Sequence, residues 1–243
     1  MFWCQQYVVK CQAGFRAQIH TFLLKENITL VLLYNIPVLD STPLPRHFFN
    51  RSTLDVARDL IGMRLVRVEN GVRLAGNIIE TEAYRGQQDL GCHARAGRTP
   101  RTEVMYGSPG HAYVYFTYGM HWMLNFVTEE GGFPAAVLIR AIRITEGEEI
   151  IARRRNGQPV RHWTDGPAKL CQALGIDGRM NGADLCSPEA LIFVESTGDG
   201  KPFSQYSVST GPRVGLYTVP EPWRSIPWRF FCRRALRLES RDW

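Results

Sequence analysis

The stretch Ile79-Glu80-Thr81-Glu82-Ala83-Tyr84 places two carboxylates at the C-terminal end of an apolar, strand-like run. Asn70-Gly71 lies shortly before it and separates two such runs, a pattern typical of a β-hairpin with a two-residue turn. Because successive side chains of a strand point to opposite faces, we expect Glu80 and Glu82 on the same face if the strand extends that far. The stretch therefore predicts a hairpin that brings two acidic side chains to one site.

A second hairpin is predicted around Thr117-Tyr118-Gly119-Met120, which lies between the strand-like runs 111–116 and 121–128. Gly119 can supply the positive φ that such a turn needs. A tyrosine at a hairpin tip is usually exposed, and an exposed aromatic ring can wedge between base pairs from the minor groove. The pattern therefore predicts that Tyr118 protrudes from the fold.

The remaining pattern favours an α+β fold. A further strand is expected at 135–144, and short helices are expected after Ser52-Thr53-Leu54-Asp55 and Thr145-x-x-Glu148, which resemble capping boxes, and at 167–175. Residues 85–110 are rich in glycine and polar residues and predict a long loop. We therefore expect a single α+β domain of mainly antiparallel strands, with a protruding β-hairpin and a few short helices.

The regular pattern begins at Leu44. Residues 1–43 show little periodicity and no clear helix caps. We expect them to be a weakly ordered N-terminal extension, or the product of an upstream start codon, and we expect residues 44–243 to form the functional domain.

Composition narrows the classes of partner. The formal net charge of +6 favours phosphate-bearing or acidic partners, although a solvated basic face fits it equally well. The six cysteines form no C-x-x-C pair, so we expect reduced thiols and no metal site. The longest apolar run, 28–39, is too short to span a bilayer, and no signal peptide is recognisable. We therefore expect a cytoplasmic protein with no membrane partner.

Glu82 is the candidate for acid–base chemistry. A carboxylate at a strand end can activate water if it is partly buried and a cation keeps it ionised. Arg140 follows the apolar run Val137-Leu138-Ile139 and is a natural partner, because an arginine in a strand needs an anion or water to bind. On spacing alone, a purely structural ion pair of Glu82 and Arg140 is the favoured alternative.

Several rings could form a base-binding surface. Tyr84, His93 and Tyr115 could stack on an extruded base, since every base presents a π-face. Ordinary aromatic packing in a sheet is the alternative, and it suits Tyr113 best. The amide of Asn125 could line the same pocket or bond to a neighbouring backbone group.

Several motifs in one order resemble the alkyladenine (3-methyladenine) DNA glycosylase family. The similarity covers about residues 44–235. The matching motifs are Glu80-Thr81-Glu82-Ala83-Tyr84, His93, Tyr113-Val114-Tyr115-Phe116-Thr117-Tyr118-Gly119-Met120, Asn125, Leu138-Ile139-Arg140-Ala141, Gly166-Pro167-Ala168-Lys169-Leu170-Cys171-Gln172-Ala173-Leu174, Arg213-Val214-Gly215 and Pro227-Trp228-Arg229-Phe230.

The resemblance implies a monofunctional repair enzyme with no cofactor, no metal and no Schiff-base lysine. It would hydrolyse the N-glycosidic bond of alkylated or deaminated purines flipped out of duplex DNA, and leave an abasic site. Glu82 would be the general base that activates water for attack on the sugar C1′. Arg140 and the backbone carbonyl near Val214 would help to hold that water.

The resemblance also implies how DNA is recognised. The flipped base would be sandwiched by three rings: Tyr84, His93 and Tyr115. Tyr118 would intercalate where the base had been, and Asn125 would crowd the pocket against the exocyclic amine of normal guanine. Lys169 would hold a phosphate. The partner would be double-stranded DNA with damaged purines, bound by a monomer.

Two alternatives remain open at this point. A catalytically silent protein could bind damaged DNA through the same basic, aromatic surface. An unrelated fold with a basic face would also fit the composition, and its binding to duplex DNA would not weaken as salt rises.

Overall fold

A computed structural model describes residues 42–196 and 208–232 in full, and before them the backbone of three strands: β1 (Cys4–Lys10), β2 (Arg16–Leu23) and β3 (Thr29–Ile36). These three strands form an antiparallel sheet in the order β1-β2-β3. The chain divides into two compact units, Met1–Thr42 and Pro43–Trp243. The predicted extension at 1–43 stays a prediction, and parts of it lie outside the described residues: 1–3, 11–15, 24–28 and 37–41.

The second unit is an α+β domain, and the predicted fold class is confirmed. Its helices and strands follow in chain order: α1 (Arg46–Phe49), α2 (Thr53–Asp59), β4 (Arg64–Glu69), β5 (Val72–Arg85), β6 (Ala112–Thr117), β7 (His121–Val127), β8 (Ala135–Glu146), α3 (Glu148–Arg154), α4 (Pro167–Leu174), β9 (Ile192–Glu195), β10 (Val208–Gly211) and β11 (Arg229–Cys232). No helix in the part of the chain that the structure describes is both long and apolar enough to cross a membrane.

An eight-stranded antiparallel sheet organises this unit. Its main path is β10-β11-β5-β8-β7-β6, and β4 branches from it to pair with β5 and β9. The turn between β4 and β5 has positive φ at both Asn70 and Gly71, as the predicted two-residue hairpin requires. β5 is the central strand of the site because it pairs with β4, β8 and β11.

β5 continues to Arg85, so the strand extends past both Glu80 and Glu82. Its pairing with β8 changes register on both sides of Glu80, as in a β-bulge. Glu80 and Glu82 nevertheless reach the same neighbour, Arg140 of β8, so the predicted placement of both carboxylates on one face is confirmed.

The core lies where α2 and α4 pack on the sheet. It joins Val56 and Ala57 of α2 with Leu170 and Leu174 of α4 and strand residues such as Phe126, all of them fully buried. Burial of each large apolar side chain is worth about 1.5–3 kcal/mol. This packing makes the sheet a rigid support for side chains on its other face.

A second, smaller cluster lies beside the central strands. Its buried members come from the loop 86–111 and from β6, β7 and β8: Cys92, Ala94, Met105, Tyr113, Val127 and Ala136. The partly buried rings of Tyr84 and Tyr115 pack against them. The predicted long loop contains two 3-10 turns, His93–Ala96 and Glu103–Tyr106. The cluster holds this loop against the sheet.

Two local predictions are wrong. Ser52 makes no side-chain capping bond to α2; instead the backbone N–H and hydroxyl of Thr53 donate to Glu129, 76 residues away. Thr145 does not cap α3, because it belongs to β8 and Gly147 directly precedes the helix.

Candidate active site

Glu82 is fully buried and both of its carboxylate oxygens are hydrogen-bonded. The backbone N–H of Val214 donates to Oε1 over 2.6 Å, and the hydroxyl of Tyr84 donates to Oε2 over 2.8 Å. Tyr84 follows two residues later on β5, whereas Val214 lies on the loop after β10. The carboxylate is therefore fixed by one donor from its own strand and one from a distant loop.

Arg140 is shared between two carboxylates. Its Nε lies 3.0 Å from Oε1 of Glu80 and 3.5 Å from Oε1 of Glu82. Arg229 of β11 lies 3.4 Å from the same oxygen of Glu80. Two acidic and two basic side chains thus alternate across three neighbouring strands, and Glu82 is the most deeply buried of them.

Burial raises the pKa of Glu82 because the charged form loses its hydration. The charge of Arg140, the Val214 N–H and the Tyr84 hydroxyl act in the opposite direction and stabilise the carboxylate. The pKa of Tyr84 is well above its ordinary value, because the phenol is buried and lies beside Glu82. Tyr84 is therefore a hydrogen-bond donor, and Glu82 is a carboxylate with a raised affinity for a proton.

A cavity of about 290 Å³ opens next to this carboxylate. Seven of the nine predicted site residues line it: Tyr84, His93, Tyr115, Tyr118, Asn125, Arg140 and Val214. Glu82 does not line the cavity but bonds to two residues that do, Tyr84 and Val214. The cavity is near the lower limit of small-molecule sites, which suits one flat ring system.

His93 and Tyr115 form one wall of the cavity. Their ring centroids lie 4.5 Å apart in an edge-to-face arrangement, and the Tyr113 hydroxyl lies 3.1 Å from Nδ1 of His93. Burial, together with the positive charges of Arg101 and Arg95, lowers the pKa of His93 to about 4. His93 is therefore uncharged at neutral pH, and the two rings are too close to admit a third ring between them.

Tyr118 and Asn125 line the cavity from the β6–β7 hairpin. Tyr118 is 83% exposed and adopts a left-handed backbone conformation with φ 52°, followed by Gly119 with φ 66°. Asn125 is buried on β7 and donates its amide to the carbonyl of Tyr113 over 3.1 Å. Asn125 therefore does both things considered for it, since it satisfies a backbone group and lines the pocket.

Lys169 lies outside the cavity lining. Its side chain is half-exposed on the first turn of α4, and Nζ lies 2.8 Å from Oδ1 of Asp165. Among the described residues there is no cluster of histidine, cysteine and acidic side chains arranged to hold a metal ion. Four cysteines of the second unit are free thiols: Cys92, Cys171, Cys186 and Cys232. Burial raises the pKa of Cys92, which lines the cavity, to about 12.

Two residues of the site have no role in the sequence-based interpretation. Arg213 and Asp89 form a fully buried ion pair behind the cavity, although 124 residues separate them. Arg213 also lies over the ring of Tyr84, with 4.6 Å between its guanidinium carbon and the ring centroid. The only local signal for this pair is that Arg213 directly precedes Val214.

Comparison with known proteins gives a consistent result. The family model described as methylpurine-DNA glycosylase matches residues 47–235. The chain is 48% identical over 200 residues to a protein of Methanocella arvoryzae, and the aligned region covers 82% of this chain and 96% of the relative. Relatives from Desulfitobacterium hafniense and Myxococcus xanthus are 44% and 45% identical, over 77% and 81% of this chain and 94% and 93% of their own lengths.

The names of all three relatives contain the words 3-methyladenine DNA glycosylase. The matched region contains every residue of the site described above, from Glu80 to Arg229. With a family match over most of its length and relatives that it covers almost completely, this chain belongs to the methylpurine-DNA glycosylase family and is a hydrolase of the DNA glycosylase class.

Proposed function

We propose that the domain at residues 44–243 hydrolyses the N-glycosidic bond of alkylated or deaminated purines that have been flipped out of duplex DNA, and leaves an abasic site. One observation carries the proposal. The buried carboxylate of Glu82 is fixed by two donors directly beside a ring-lined cavity of about 290 Å³. Because one chain supplies both this carboxylate and the rings of the cavity, we infer that a monomer is active.

Glu82 acts in this proposal as a general base and as a fixed negative charge. A water molecule loses a proton to the carboxylate while its oxygen forms a bond to C1′ of the flipped nucleotide. The N-glycosidic bond breaks, and the purine leaves with the bonding electron pair. The carboxylate also stabilises the positive charge that develops on the sugar. Arg140, 3.5 Å from Oε1 of Glu82, keeps the carboxylate ionised and helps to hold the water.

The flipped base stacks against the rings of the cavity. His93 and Tyr115 lie too close together to enclose a base between them, so they form one face of the sandwich and Tyr84 forms the other. A positively charged alkylated base is attracted to the electron-rich faces of the two tyrosines. The low pKa of His93 supports this role, because a neutral imidazole does not repel such a base.

Two further residues act on the DNA itself. Tyr118 is the exposed tip of the β6–β7 hairpin and fills the gap that the flipped nucleotide leaves. Lys169 gives up its ion pair with Asp165 and binds a phosphate of the DNA backbone instead. This phosphate contact predicts that affinity for duplex DNA falls as the salt concentration rises.

Base release from labelled duplexes tests the proposal. One duplex contains a single hypoxanthine and the other is methylated, and wild type is compared with Glu82→Gln. The exposed Glu103, which pairs only with Arg98 among the described contacts, provides the control variant Glu103→Gln. We expect release by wild type and by the control, and a loss of about 100-fold or more for Glu82→Gln with binding retained. Tight binding by wild type without release would contradict the proposal and favour a protein that only binds damaged DNA.

A further inference from the structure

The ion pair of Arg213 and Asp89 is bidentate and has no access to solvent. Nη1 of Arg213 lies 2.5 Å from Oδ2 of Asp89, and Nη2 lies 2.7 Å from Oδ1, with both side chains fully buried. A charged pair is removed from water at a large cost, so other contacts must compensate for the lost hydration. Most of the compensating contacts come from segments that build the active site.

Arg213 connects its own loop to the strand that carries Glu82. Nη1 donates to the carbonyl of Ala83 over 3.1 Å, and Nη2 donates to the carbonyl of Trp223 over 3.3 Å. The guanidinium carbon lies over two aromatic rings, 4.6 Å from the centroid of Tyr84 and 5.3 Å from that of Trp228. Arg213 therefore contacts the residue that follows Glu82 and the ring whose hydroxyl donates to Glu82.

Asp89 fastens the loop that leads to His93. Its Oδ1 accepts the backbone N–H of Gly91 over 2.9 Å, and its Oδ2 accepts that of Arg85, the last residue of β5, over 3.3 Å. His93 follows four residues after Asp89 and begins a 3-10 turn. The carboxylate of Asp89 thus joins the end of β5, the approach to His93 and the side chain of Arg213.

Gly91 shows how closely the two loops approach each other. A Cβ atom at this position would lie 2.7 Å from Cδ1 of Leu216 and 2.8 Å from Nη2 of Arg213. The end of the Leu216 side chain could move aside, but the guanidinium of Arg213 is held by its bonds to Asp89 and two backbone carbonyls. A side chain at position 91 would therefore push the loop of Val214 away from β5.

We propose that Arg213 and Asp89 are positioning residues for base excision, which hold the loop of Val214 and the loop of His93 against the strand of Glu82. The inference rests on the proposed function, because it assumes that Glu82 is the base. The pair determines whether the N–H of Val214 reaches the carboxylate and whether His93 stays at the cavity wall.

The test needs variants that fold. Removal of one partner would leave a buried charge unpaired and would strongly destabilise the protein, so both charges are removed together in Asp89→Asn/Arg213→Met. The asparagine retains an oxygen that can accept the N–H of Gly91. Gly91→Ala is a second variant, which keeps both charges but separates the loops.

The buried pair of Arg73 and Glu195 offers a matched control. Its side chains are 9% and 6% exposed, Nη2 and Oε1 lie 2.7 Å apart, and neither residue lines the cavity. The control variant is Arg73→Met/Glu195→Gln. Each protein is tested for its melting temperature, for single-turnover release of 7-methylguanine from a methylated duplex across pH, and for its Kd with a duplex that contains a stable abasic-site analogue.

We expect the Asp89/Arg213 double variant and Gly91→Ala to release the base at least tenfold more slowly, with a Kd within about threefold of wild type. The acid limb of the pH profile moves to higher pH, because Glu82 loses an N–H donor that favours its charged form. The control loses stability and keeps the wild-type rate per folded molecule.

Wild-type rates and an unchanged acid limb in both test variants would overturn the inference. So would a loss of rate that the Arg73/Glu195 control reproduces to the same extent, since this would reflect stability alone. Failure of the wild-type protein itself to release hypoxanthine or methylated purines would instead contradict the proposed function, so the two failures are distinguishable.

Discussion

The backbone N–H of Val214 donates to Oε1 of Glu82 over 2.6 Å, although 132 residues separate them in the chain. With the Tyr84 hydroxyl on Oε2, the bond holds the carboxylate in one orientation while burial works against its charge. The resemblance to known glycosylases implies a water-holding carbonyl near Val214. The N–H of Val214 acts differently, because it donates directly to the carboxylate of Glu82.

On the acid side of the rate–pH profile for base excision, we expect the half-maximal rate at a pH above 4.5, the ordinary pKa of glutamic acid. Burial raises the pKa of Glu82, and only the unprotonated carboxylate can accept a proton from water, so the rate falls as the pH drops through the raised pKa. Single-turnover release of 7-methylguanine from methylated duplex measures this limb, because this cationic base leaves without further protonation.

The control for this measurement is His93→Asn. The pKa of His93 is about 4, so its titration lies below the expected limb and the variant keeps the position of the limb even if its rate falls. A half-maximal rate at or below pH 4.5 in wild type would show that burial does not dominate the titration of Glu82.

Glu80 and Arg140 are expected to move the same limb in opposite directions. Arg140 stabilises the charged form of Glu82, so Arg140→Gln raises the pKa of Glu82 further and shifts the limb to higher pH. The negative charge of Glu80 raises that pKa, so Glu80→Gln lowers it and shifts the limb to lower pH.

Rate–pH profiles of Glu80→Gln and Arg140→Gln, recorded on the same methylated duplex, test this prediction. We expect the rate of Arg140→Gln at neutral pH to fall at least tenfold and to recover in part as the pH rises. Shifts of both variants in the same direction would mean that general distortion of the site, and not the shared charge of Arg140, controls the pKa of Glu82.

Local sequence signals were sufficient for those parts of the fold whose geometry is set within a few residues. Asn70-Gly71 adopts positive φ at both positions and turns β4 into β5, as predicted. Pro167 begins α4 and Gly175, with φ 64°, ends it, also as predicted. Glycine frees the backbone to adopt positive φ, and proline fixes φ at a value that suits the first turn of a helix. Because both effects are local, the turn and the two helix ends can be identified without the surrounding tertiary structure.

Contacts between distant segments could not be predicted in the same way. The sequence around Ser52 has the spacing of a capping box, but Glu129 reaches the start of α2 from 76 residues away and takes over the role of the cap. The pair of Arg213 and Asp89 likewise depends on how two loops meet at the end of β5. Such pairs are set by tertiary packing, and one sequence contains no periodic pattern for them.

We expect Tyr118 to lower the folding stability of the protein through its backbone conformation and to promote base flipping through its ring. An L-residue with φ 52° is strained by roughly 1–2 kcal/mol, and the ring is 83% exposed and so contributes little packing. Tyr118→Gly relieves the strain and Tyr118→Ala retains it, so we expect the glycine variant to be about 1 kcal/mol more stable than the alanine variant. Both variants should flip the damaged base equally poorly, because neither has a ring to insert.

Urea unfolding measures the stability difference, and the fluorescence of a base analogue beside the lesion measures flipping. If the two variants flipped the base as well as wild type does, the ring would have no wedge role. If alanine and glycine were equally stable, the strain inferred from the backbone angle would be wrong.

Asn125 is expected to exclude undamaged guanine by occupying space in the cavity. The side chain is buried, lines the cavity and donates to the carbonyl of Tyr113. Asn125→Ala enlarges the cavity where the exocyclic amine of guanine would lie, so we expect the preference for damaged over normal purines to fall roughly tenfold, a change of about 1.4 kcal/mol. The variant also removes a side-chain hydrogen bond to a buried carbonyl, at a cost of about 0.5–1.5 kcal/mol in stability.

Asn181→Ala is the matched control, because Asn181 also bonds to the backbone of β6, accepting the N–H of Val114 over 2.9 Å, but does not line the cavity. Release of guanine from unmodified DNA and of hypoxanthine from a lesion-containing duplex gives the selectivity of each protein. We expect both variants to lose stability and only Asn125→Ala to release more guanine. An equal gain in guanine release by Asn181→Ala would trace the effect to loosening of β6, and an unchanged selectivity of Asn125→Ala would show that guanine is rejected before it enters the cavity.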